Sequence, residues 1–263
     1  MTRLRALLWD VDGTIAETER DGHRVAFNLA FDAWGLPWHW DETRYGELLR
    51  VTGGRERILH DMSTRADAPA SPADRDELAR ALHANKNAIY GKLVRDGGMP
   101  LRDGVLELMR QCRARDLRMG IATTTSRANV EVLLHAALGE HWDDWFAAIV
   151  CGEDVARKKP DPEVYLRALE SLGTAPDAAA AIEDSPNGVD AARAAGIPVI
   201  VTRSAYFVDA KFEGALAVGP GFDSRRYWQP PTRATNAGDD PVRLADIENW
   251  HARSATITRP ICT

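Results

Sequence analysis

An apolar run near the amino terminus ends in two aspartates, and this feature most limits how the chain can fold. Residues 4–9 (LRALLW) have the character of a buried central strand of a parallel sheet, and Asp10 and Asp12 follow them. Side chains alternate along an extended segment, so the two carboxylates can converge while Val11 turns into the core. In open α/β sheets, ligands bind at the carboxyl ends of the strands. Residues 10–14 (DVDGT) therefore predict a ligand site.

Two other interpretations of residues 10–14 stay open when this stretch is considered alone. An Asp-x-Asp-Gly cluster is typical of a turn or of a cap before a helix. A calcium loop of the EF-hand type is less favoured, because it needs further oxygen ligands at its seventh and ninth positions and a glutamate at its twelfth, and here the glycine already stands fourth. What the chain brings to the ends of its other strands decides between a turn and a site.

Composition argues against several classes of function. The 263 residues can form one large domain or two smaller ones, and 27% charged and 44% hydrophobic residues are ordinary for a globular protein. The net charge of -6 disfavours nucleic acid and anionic membranes as partners. Cys112, Cys151 and Cys262 lack zinc-site spacing and predict reduced thiols. Since we find no signal peptide and no apolar run of membrane-spanning length, we expect a cytoplasmic protein.

The segment that follows the two aspartates predicts a separate helical domain. Apolar residues recur at helical spacing in four stretches, 25–34, 45–51, 55–62 and 73–94. None of the segment has the pattern of a strand, and the Gly-Gly-Met-Pro sequence at its end is typical of a linker. We therefore expect a helical domain at 17–99, inserted between two parts of a core domain at 1–16 and 100–263.

Beyond residue 100, helix and strand patterns alternate, as a doubly wound parallel sheet requires. The predicted strands are 117–122, 146–151, 178–182, 196–201 and an edge strand at 215–218. The predicted helices between them are 105–109, 127–138, 163–172 and 189–195. After Gly221 come a long loop and a last helix near 244–250, so we expect 222–263 to form an extension packed on the core. The predicted fold class is α/β.

Hydroxyl groups and a lysine follow two of these strands. Thr123 and Thr124 begin a run of four hydroxyls, which can bind a phosphate oxygen or simply cap the next helix. Lys159 belongs to a basic cluster that would usually be solvated. Here, however, Pro160 fixes the backbone before the predicted helix 163–172, so the ammonium of Lys159 can be held at the site. Such a lysine would neutralise charge that otherwise repels an anionic substrate.

Two further acids, Glu183 and Asp184, follow the predicted strand 178–182. With Asp10 and Asp12 they would bring four carboxylates to one edge of the sheet. These like charges would repel one another strongly without a hard cation, and oxygen ligands with open positions for water suit Mg²⁺. The sequence therefore predicts a magnesium site.

In their order along the chain, these motifs resemble those of the haloacid dehalogenase-like superfamily. They are Asp10-x-Asp12-Gly13-Thr14, the hydroxyl of Thr123, Lys159-Pro160, and Glu183-Asp184. Each motif is weak alone, but the four together are highly specific. The resemblance implies a Rossmann-like doubly wound parallel sheet core with an inserted all-helical cap domain that is mobile, and a Mg²⁺-dependent enzyme of phosphoryl transfer.

The resemblance also implies a role for each motif. Asp10 would be the nucleophile that forms an aspartyl phosphate, and Asp12 the general acid and base. The phosphate would be bound by Thr123, Thr124 and Lys159. The metal would be bound by Asp10, the backbone carbonyl of Asp12, and Asp184, with Glu183 either a further ligand or a neighbour of the ligands. Haloalkanoate dehalogenases lack the second aspartate and transport ATPases carry threonine there, so Asp12 favours a phosphatase or phosphomutase.

Within the superfamily, residues 16–28 and 52–57 look like the CbbY type of sugar-bisphosphate phosphatase. This implies the hydrolysis of xylulose 1,5-bisphosphate, an inhibitor of Rubisco formed alongside the Calvin cycle, to xylulose 5-phosphate. The implied substrate-binding residues are Glu17, His23, Thr52, Gly53, Gly54, Arg55 and Lys86. Among them, Glu17 and His23 would face the sugar, and Arg55 with its glycine pair would bind the distal phosphate. An exposed cap surface is the alternative for His23, Arg55 and Lys86.

Other functions stay open on the sequence. A phosphatase acting on phosphoglycolate or on another sugar monophosphate would use the same core site. A phosphomutase related to beta-phosphoglucomutase would return a bisphosphate intermediate for a second transfer. A binding protein without catalysis is disfavoured, because it has no physical need for so many like charges in one cleft. We expect a small phosphorylated sugar as the partner and a monomeric chain.

Overall fold

A computed structural model describes residues 3–97, 99–231 and 239–257 of the chain. Three predicted features lie partly or wholly outside these ranges. They are Gly98 of the linker, residues 232–238 of the long loop, and Cys262. Cys112 and Cys151 are free thiols and both are buried. Within the described ranges, no helix combines the length and the apolar character needed to cross a lipid bilayer.

The strands and helices follow one another in the predicted order. The strands are β1 (Ala6–Trp9), β2 (Arg118–Ala122), β3 (Ala148–Val150), β4 (Ala179–Glu183), β5 (Val199–Thr202) and β6 (Ala217–Gly219). The helices between β1 and β2 are α1 (Arg24–Ala33), α2 (Glu42–Leu48), α3 (Gly54–Ser63), α4 (Pro72–Arg95) and α5 (Val105–Ala114). The later helices are α6 (Arg127–Leu138), α7 (Glu163–Leu172), α8 (Pro186–Ala194) and α9 (Leu244–Ile257). A π-helical turn, Glu19–His23, leads into α1, and α9 runs beyond the predicted 244–250.

All the paired strands of the described chain form one parallel sheet in the order β3-β2-β1-β4-β5-β6. β1 lies inside the sheet, where Trp9 stands opposite Ile121 of β2 and Ile182 of β4. β1 is buried at every residue, as expected for a strand that helices cover on both faces. These observations confirm the predicted α/β fold with a doubly wound parallel sheet and a helical insertion.

The alternation of side chains along β1 divides the core into two layers. Leu7 and Trp9 belong to a cluster with residues of α5, α6 and α9, whereas Leu8 belongs to a cluster with residues of α7 and α8. Described residues after Gly221 join the first layer, since Phe222 meets Trp9 edge to face at 6.0 Å between ring centroids. Trp228 stacks on Phe222 at 5.6 Å and on Trp250 at 4.7 Å.

Residues 17–97, which we call the insert, are helical and have a hydrophobic cluster of their own. Phe27, Trp40, Tyr45 and Leu82 are among its buried members. No strand occurs in this described range, as expected. The carboxyl-terminal end of α4 packs against the sheet layer instead, through Tyr90 and its neighbours. The division into a cap at 17–99 and a core stays a prediction.

Candidate active site

The parallel strands bring most of the predicted site residues to one open cavity between the sheet edge and the insert. The predicted residues that line it are Asp10, Asp12, His23, Thr52, Gly53, Gly54, Lys86, Thr123, Thr124, Lys159 and Asp184. Asp10, Thr123 and Asp184 directly follow β1, β2 and β4, so the shared direction of these neighbouring strands explains why they meet. Of the predicted residues, which all lie in the described ranges, Glu17, Arg55 and Glu183 are not among those that line the cavity.

Lys159 is bound to two of the buried acids. Its Nζ donates to Asp10 Oδ1 at 2.6 Å, to Glu183 Oε1 at 2.7 Å and to the carbonyl of Ala122 at 2.8 Å. Burial disfavours the charged ammonium, but the charges of Asp10 and Glu183 outweigh it and raise the pKa of Lys159 above its usual range. A permanent positive charge is therefore fixed beside the Asp10 carboxylate.

The three acids crowd more negative charge than this lysine can balance. Asp10, Glu183 and Asp184 each offer a carboxylate oxygen within 4.8 Å of the others, and all three are buried. Burial raises the pKa of Asp10 to about 8, assisted by Glu183 and Asp12 and opposed by Lys159. Burial, with the charges of Asp10 and Glu183, raises the pKa of Asp184 well above its usual range. An all-oxygen set with an excess of negative charge fits Mg²⁺.

Gly13 permits the close approach that this cluster requires. Its φ is +84°, and a Cβ built on it would lie 2.1 Å from Asp184 Oδ2. Any other side chain at this position would push the loop after β1 away from the loop after β4. The glycine of the first motif therefore serves the assembly of the acidic cluster.

Glu183 lies behind the other two acids. It is fully buried, and its Oε1 accepts hydrogen bonds from Lys159 and from the Tyr165 hydroxyl, the latter at 2.6 Å. Its Oε2 accepts from the backbone amide of Asp184 at 3.1 Å and from the Ser185 hydroxyl at 3.3 Å. Asp10 and Asp184 line the cavity, whereas Glu183 does not. The arrangement therefore favours Glu183 as a neighbour of the metal ligands that orients Lys159, rather than as a ligand itself.

Asp12 is held by groups of the insert. Its Oδ1 accepts from the Thr18 hydroxyl at 2.5 Å and lies 3.0 Å from His23 Nε2. Lys86 Nζ lies 2.8 Å from His23 Nδ1, and an ammonium can only donate, so Nδ1 accepts and Nε2 carries the proton that faces Asp12. Burial would raise the pKa of Asp12, but His23 and Thr18 overcome it and hold the pKa below its usual range. Asp12 is therefore a carboxylate in this arrangement.

The hydroxyl run after β2 lies in front of a helix amino terminus. Thr123, Thr124, Thr125 and Ser126 all line the cavity, and α6 begins at the next residue. The Thr123 hydroxyl accepts from the backbone amide of Thr125 at 3.3 Å, which orders this turn. Free amides at a helix amino terminus attract phosphate oxygens, so the local geometry suits the predicted phosphate-binding role of Thr123 and Thr124.

Glu17 and Arg55 make other contacts. One carboxylate oxygen of Glu17 lies 3.6 Å from Nε of Arg102, and the other accepts from the backbone amide of Ala205 at 3.4 Å. Arg55 donates to Asp76 on α4. The roles of Glu17 and Arg55 in substrate binding stay predictions, and in this arrangement they lie outside the cavity.

Several cavity residues were not predicted from the sequence. Glu19, Arg57, His83 and Lys158 line the cavity. Arg57 is almost fully buried, at 7% side-chain exposure. Lys158 reaches across to the insert and pairs with Glu56 at 2.7 Å. The basic cluster around residue 159 was a sequence signal for Lys158, whereas an arginine and an acid on amphipathic helices have the same pattern as a solvated face.

Comparison with known proteins identifies the family. A family model described as haloacid dehalogenase-like hydrolase matches residues 4–196. The chain belongs to this family. It is 43% identical to protein CbbY of Cupriavidus necator, over 94% of this chain and 97% of that protein. It is 44% identical to CbbY of Rhodobacter capsulatus, over 81% of this chain and 91% of that protein.

Solved structures support the same relationship. CbbY from Rhodobacter sphaeroides in complex with phosphate has a TM-score of 0.75 and 40% identity, covering 81% of this chain and 92% of that chain. A mutant form of that protein in complex with xylulose-(1,5)bisphosphate has the same TM-score and coverage at 39% identity. The predicted resemblance to the haloacid dehalogenase-like family and its CbbY type is thus confirmed, as is the expectation of a phosphatase of this family.

Proposed function

We propose that this enzyme hydrolyses xylulose 1,5-bisphosphate to xylulose 5-phosphate and inorganic phosphate through an aspartyl-phosphate intermediate. The choice of substrate rests on the complex of the 39% identical CbbY mutant with xylulose-(1,5)bisphosphate. The cavity supports the chemistry, because it joins Asp10 and Asp12 of the sheet edge to polar groups of the insert. We further propose a monomeric cytoplasmic enzyme that acts beside the Calvin cycle, without a nucleic-acid or membrane partner.

The first step is attack on phosphorus by Asp10. Lys159 fixes Oδ1 of Asp10 at the cavity wall, and its charge favours the ionised carboxylate that attacks, against the effect of burial. As the bond from the Asp10 oxygen to phosphorus forms, the bond from phosphorus to the sugar oxygen breaks, and Asp12 gives that oxygen a proton. The negative charge of a bound phosphate disfavours the ionised form of Asp12, and so favours the protonated state that this step needs.

The second step hydrolyses the aspartyl phosphate and regenerates the Asp10 nucleophile. Asp12 now accepts a proton from a water molecule whose oxygen attacks the phosphorus of the aspartyl phosphate, and the bond to the Asp10 oxygen breaks. His23 and Thr18 favour the carboxylate form of Asp12, which is the form that can act as this base. The hydrogen bonds that hold Asp12 therefore suit the second step directly.

Asp10 and Asp184 would hold Mg²⁺ at the cavity, together with the carbonyl of Asp12 that the family resemblance implies. Bound there, the ion would offset charge on the transferring phosphoryl group. Thr123, Thr124 and Lys159 would bind the oxygens of the phosphoryl group. His23 and Lys86 would meet the sugar, and the turn at 52–54 would meet the distal phosphate. Contacts from Glu17 and Arg55 would require a rearrangement of the insert.

Rates of phosphate release from a panel of substrates test the proposed function. The panel comprises xylulose 1,5-bisphosphate, ribulose 1,5-bisphosphate, xylulose 5-phosphate, phosphoglycolate and β-glucose 1-phosphate. We expect kcat/KM for xylulose 1,5-bisphosphate to exceed the others by at least about tenfold, because polar groups of the insert can contact the remote end of the molecule. A higher kcat/KM for phosphoglycolate would replace the proposal by that activity. Conversion of β-glucose 1-phosphate to glucose 6-phosphate without free phosphate would identify a mutase.

Mg²⁺ is expected to raise the melting temperature of the protein, and to raise it more at pH 8 than at pH 5. A ligand at a hundred times its Kd stabilises a fold by about 2.7 kcal/mol, which is a shift of several degrees. The pKa of Asp10 is raised to about 8 in the folded chain, so between its unfolded value and pH 8 the folded state holds a proton that the unfolded state has lost. Without Mg²⁺, this contribution to stability therefore falls as the pH rises towards 8, and the freed carboxylate binds Mg²⁺ better.

Asp184→Asn supplies the control for this measurement by differential scanning fluorimetry. It removes one of the three crowded carboxylates, so we expect the metal-free variant to melt no lower than the wild type and to lose most of the Mg²⁺-dependent shift. An equal shift in wild type and variant would contradict the proposed site.

A further inference from the structure

The loop between β5 and β6 carries two aromatic residues from the sheet onto the insert. Phe207 lines the cavity. Tyr206 lies beside it, with its ring centroid 5.6 Å from that of Tyr45 on α2. Both Tyr206 and Phe207 pack against the hydrophobic cluster of the insert. A loop of the sheet region therefore forms part of the packing of the region that faces the substrate.

The loop is ordered by an arginine at its start. Nη1 of Arg203 donates to the carbonyls of Val208 at 2.6 Å and Ala210 at 2.9 Å. The backbone amide of Phe207 closes a turn by donating to the carbonyl of Ser204 at 3.1 Å. Because a charged donor holds several carbonyls of the loop, the loop presents its aromatic rings in a fixed place.

The insert has a place that accommodates the ring of Tyr206. Gly46 lies in the interior of α2, where glycine is a poor helix former. A Cβ at Gly46 would lie 3.1 Å from Cδ1 of Tyr206, closer than ordinary van der Waals contact. The glycine thus lets the ring of Tyr206 lie against the helix backbone, next to the ring of Tyr45.

Tyr45 connects this contact to the cavity. Its hydroxyl donates to Glu19 Oε2 at 2.5 Å and accepts from Arg57 Nη1 at 2.8 Å. The Arg57 guanidinium also lies over the Tyr45 ring, 5.0 Å from its centroid. Glu19 and Arg57 both line the cavity, and Nε of Arg57 is buried without a hydrogen-bond partner in the described chain. Nη1 of Arg57 also lies 3.7 Å from Glu19 Oε2, so this ion pair is what brings charged groups to the cavity for a polar ligand.

We propose that Tyr206 is a positioning residue for substrate recognition, which docks on Tyr45 and Gly46 and thereby holds Glu19 and Arg57 toward the substrate. Tyr206 itself touches no substrate. It acts through the Tyr45 ring, and loss of its ring lets Tyr45, Glu19 and Arg57 shift together. The proposal rests on the proposed function, since it concerns binding of the sugar portion of that substrate.

The test compares two substrates in Tyr206→Ala, Tyr206→Phe and Tyr227→Ala. p-Nitrophenyl phosphate presents a reactive phosphate without a sugar, and xylulose 1,5-bisphosphate presents both. We expect Tyr206→Ala to lower the ratio of kcat/KM for the bisphosphate to that for p-nitrophenyl phosphate by about tenfold, mainly through KM, which is the size that one aromatic pair contributes. Tyr206→Phe keeps the ring and should keep the ratio within about twofold. Tyr227 is 81% exposed, so Tyr227→Ala is the matched control.

A purely structural role would give a different result. If Tyr206→Ala only destabilises the fold, kcat falls by the same factor for both substrates. The ratio of the two kcat/KM values is then unchanged, and the proposal is overturned. Wild-type protein that hydrolyses p-nitrophenyl phosphate but no sugar phosphate would instead contradict the proposed function.

A double-mutant cycle tests the coupling without any substrate. Tyr45→Phe removes the hydroxyl and leaves the ring, so melting temperatures of Tyr45→Phe, Tyr206→Ala and the double variant report whether the two residues act as one unit. We expect a double-variant shift that differs from the sum of the single shifts. Additive shifts would overturn the proposal.

Discussion

Replacement of Asp10 by asparagine is expected to lower the rate of phosphate release by at least about 10⁴-fold, because an amide oxygen is a far weaker nucleophile than a carboxylate. Oδ1 of Asp10 lies 2.6 Å from Lys159 Nζ, which holds the side chain in place and favours its ionised form against the effect of burial. An amide has almost the same volume, so the cavity keeps its shape while the nucleophile is lost. The measurement is phosphate release from xylulose 1,5-bisphosphate under saturating Mg²⁺.

The stability of this variant separates chemistry from folding. Asp10→Asn removes one carboxylate from a crowded buried group, so we expect no fall in melting temperature. Asp32→Asn on the exposed side of α1 is the matched control and should keep the wild-type rate. Phosphate release by Asp10→Asn within about tenfold of the wild type would refute the covalent mechanism.

The residues that the sequence predicted best are those whose place depends on backbone direction alone. Asp10, Thr123 and Asp184 each follow a strand, and neighbouring parallel strands necessarily end at one edge. Placing Lys159 at the site required one more condition than strand direction, namely a fixed backbone before α7. For such residues, the element order is sufficient to bring their side chains to one site.

Residues of the insert depend on how each helix is rotated about its axis, and the sequence does not determine this rotation. Arg55 and Arg57 both follow the glycine pair at the start of α3. Two residues are separated by about 200° around a helix, so they point to nearly opposite sides. The structure directs Arg57 to the cavity and Arg55 to Asp76 on α4. Packing of α3 on its neighbours decides between the two, and local spacing cannot.

Contacts between distant segments were likewise beyond prediction. Tyr206 follows β5 and is more than a hundred residues along the sequence from Tyr45 on α2, although their rings are in contact. Neither residue belongs to a recognisable motif. Gly46 in the middle of a short helix was the available signal, because a glycine in a helix interior often permits a close approach by another group. The partner of that approach could not be identified without the fold.

Replacement of Lys159 by methionine is expected to remove both activity and a large part of the stability. Its ammonium is the positive group bound to Asp10 and Glu183, and removal of one partner of a buried ion pair costs about 3–5 kcal/mol. We expect phosphate release to fall by at least about 10³-fold, because the phosphoryl group also loses this charge. Chemical denaturation gives the free energy of unfolding, and the phosphate assay gives the rate.

Lys158→Met is the matched control for stability, since it removes the preceding lysine. Its partner Glu56 is 42% exposed at the side chain, and pairs of this kind contribute less than about 1 kcal/mol. The loss in Lys159→Met should be smaller at pH 5 than at pH 8, because the pKa of Asp10 is raised by burial, and a carboxyl that is protonated in the folded chain needs no positive partner. Equal free energies of unfolding for Lys159→Met and Lys158→Met would show that Lys159 does not balance the buried acids, and the charge arrangement proposed for the site would then be wrong.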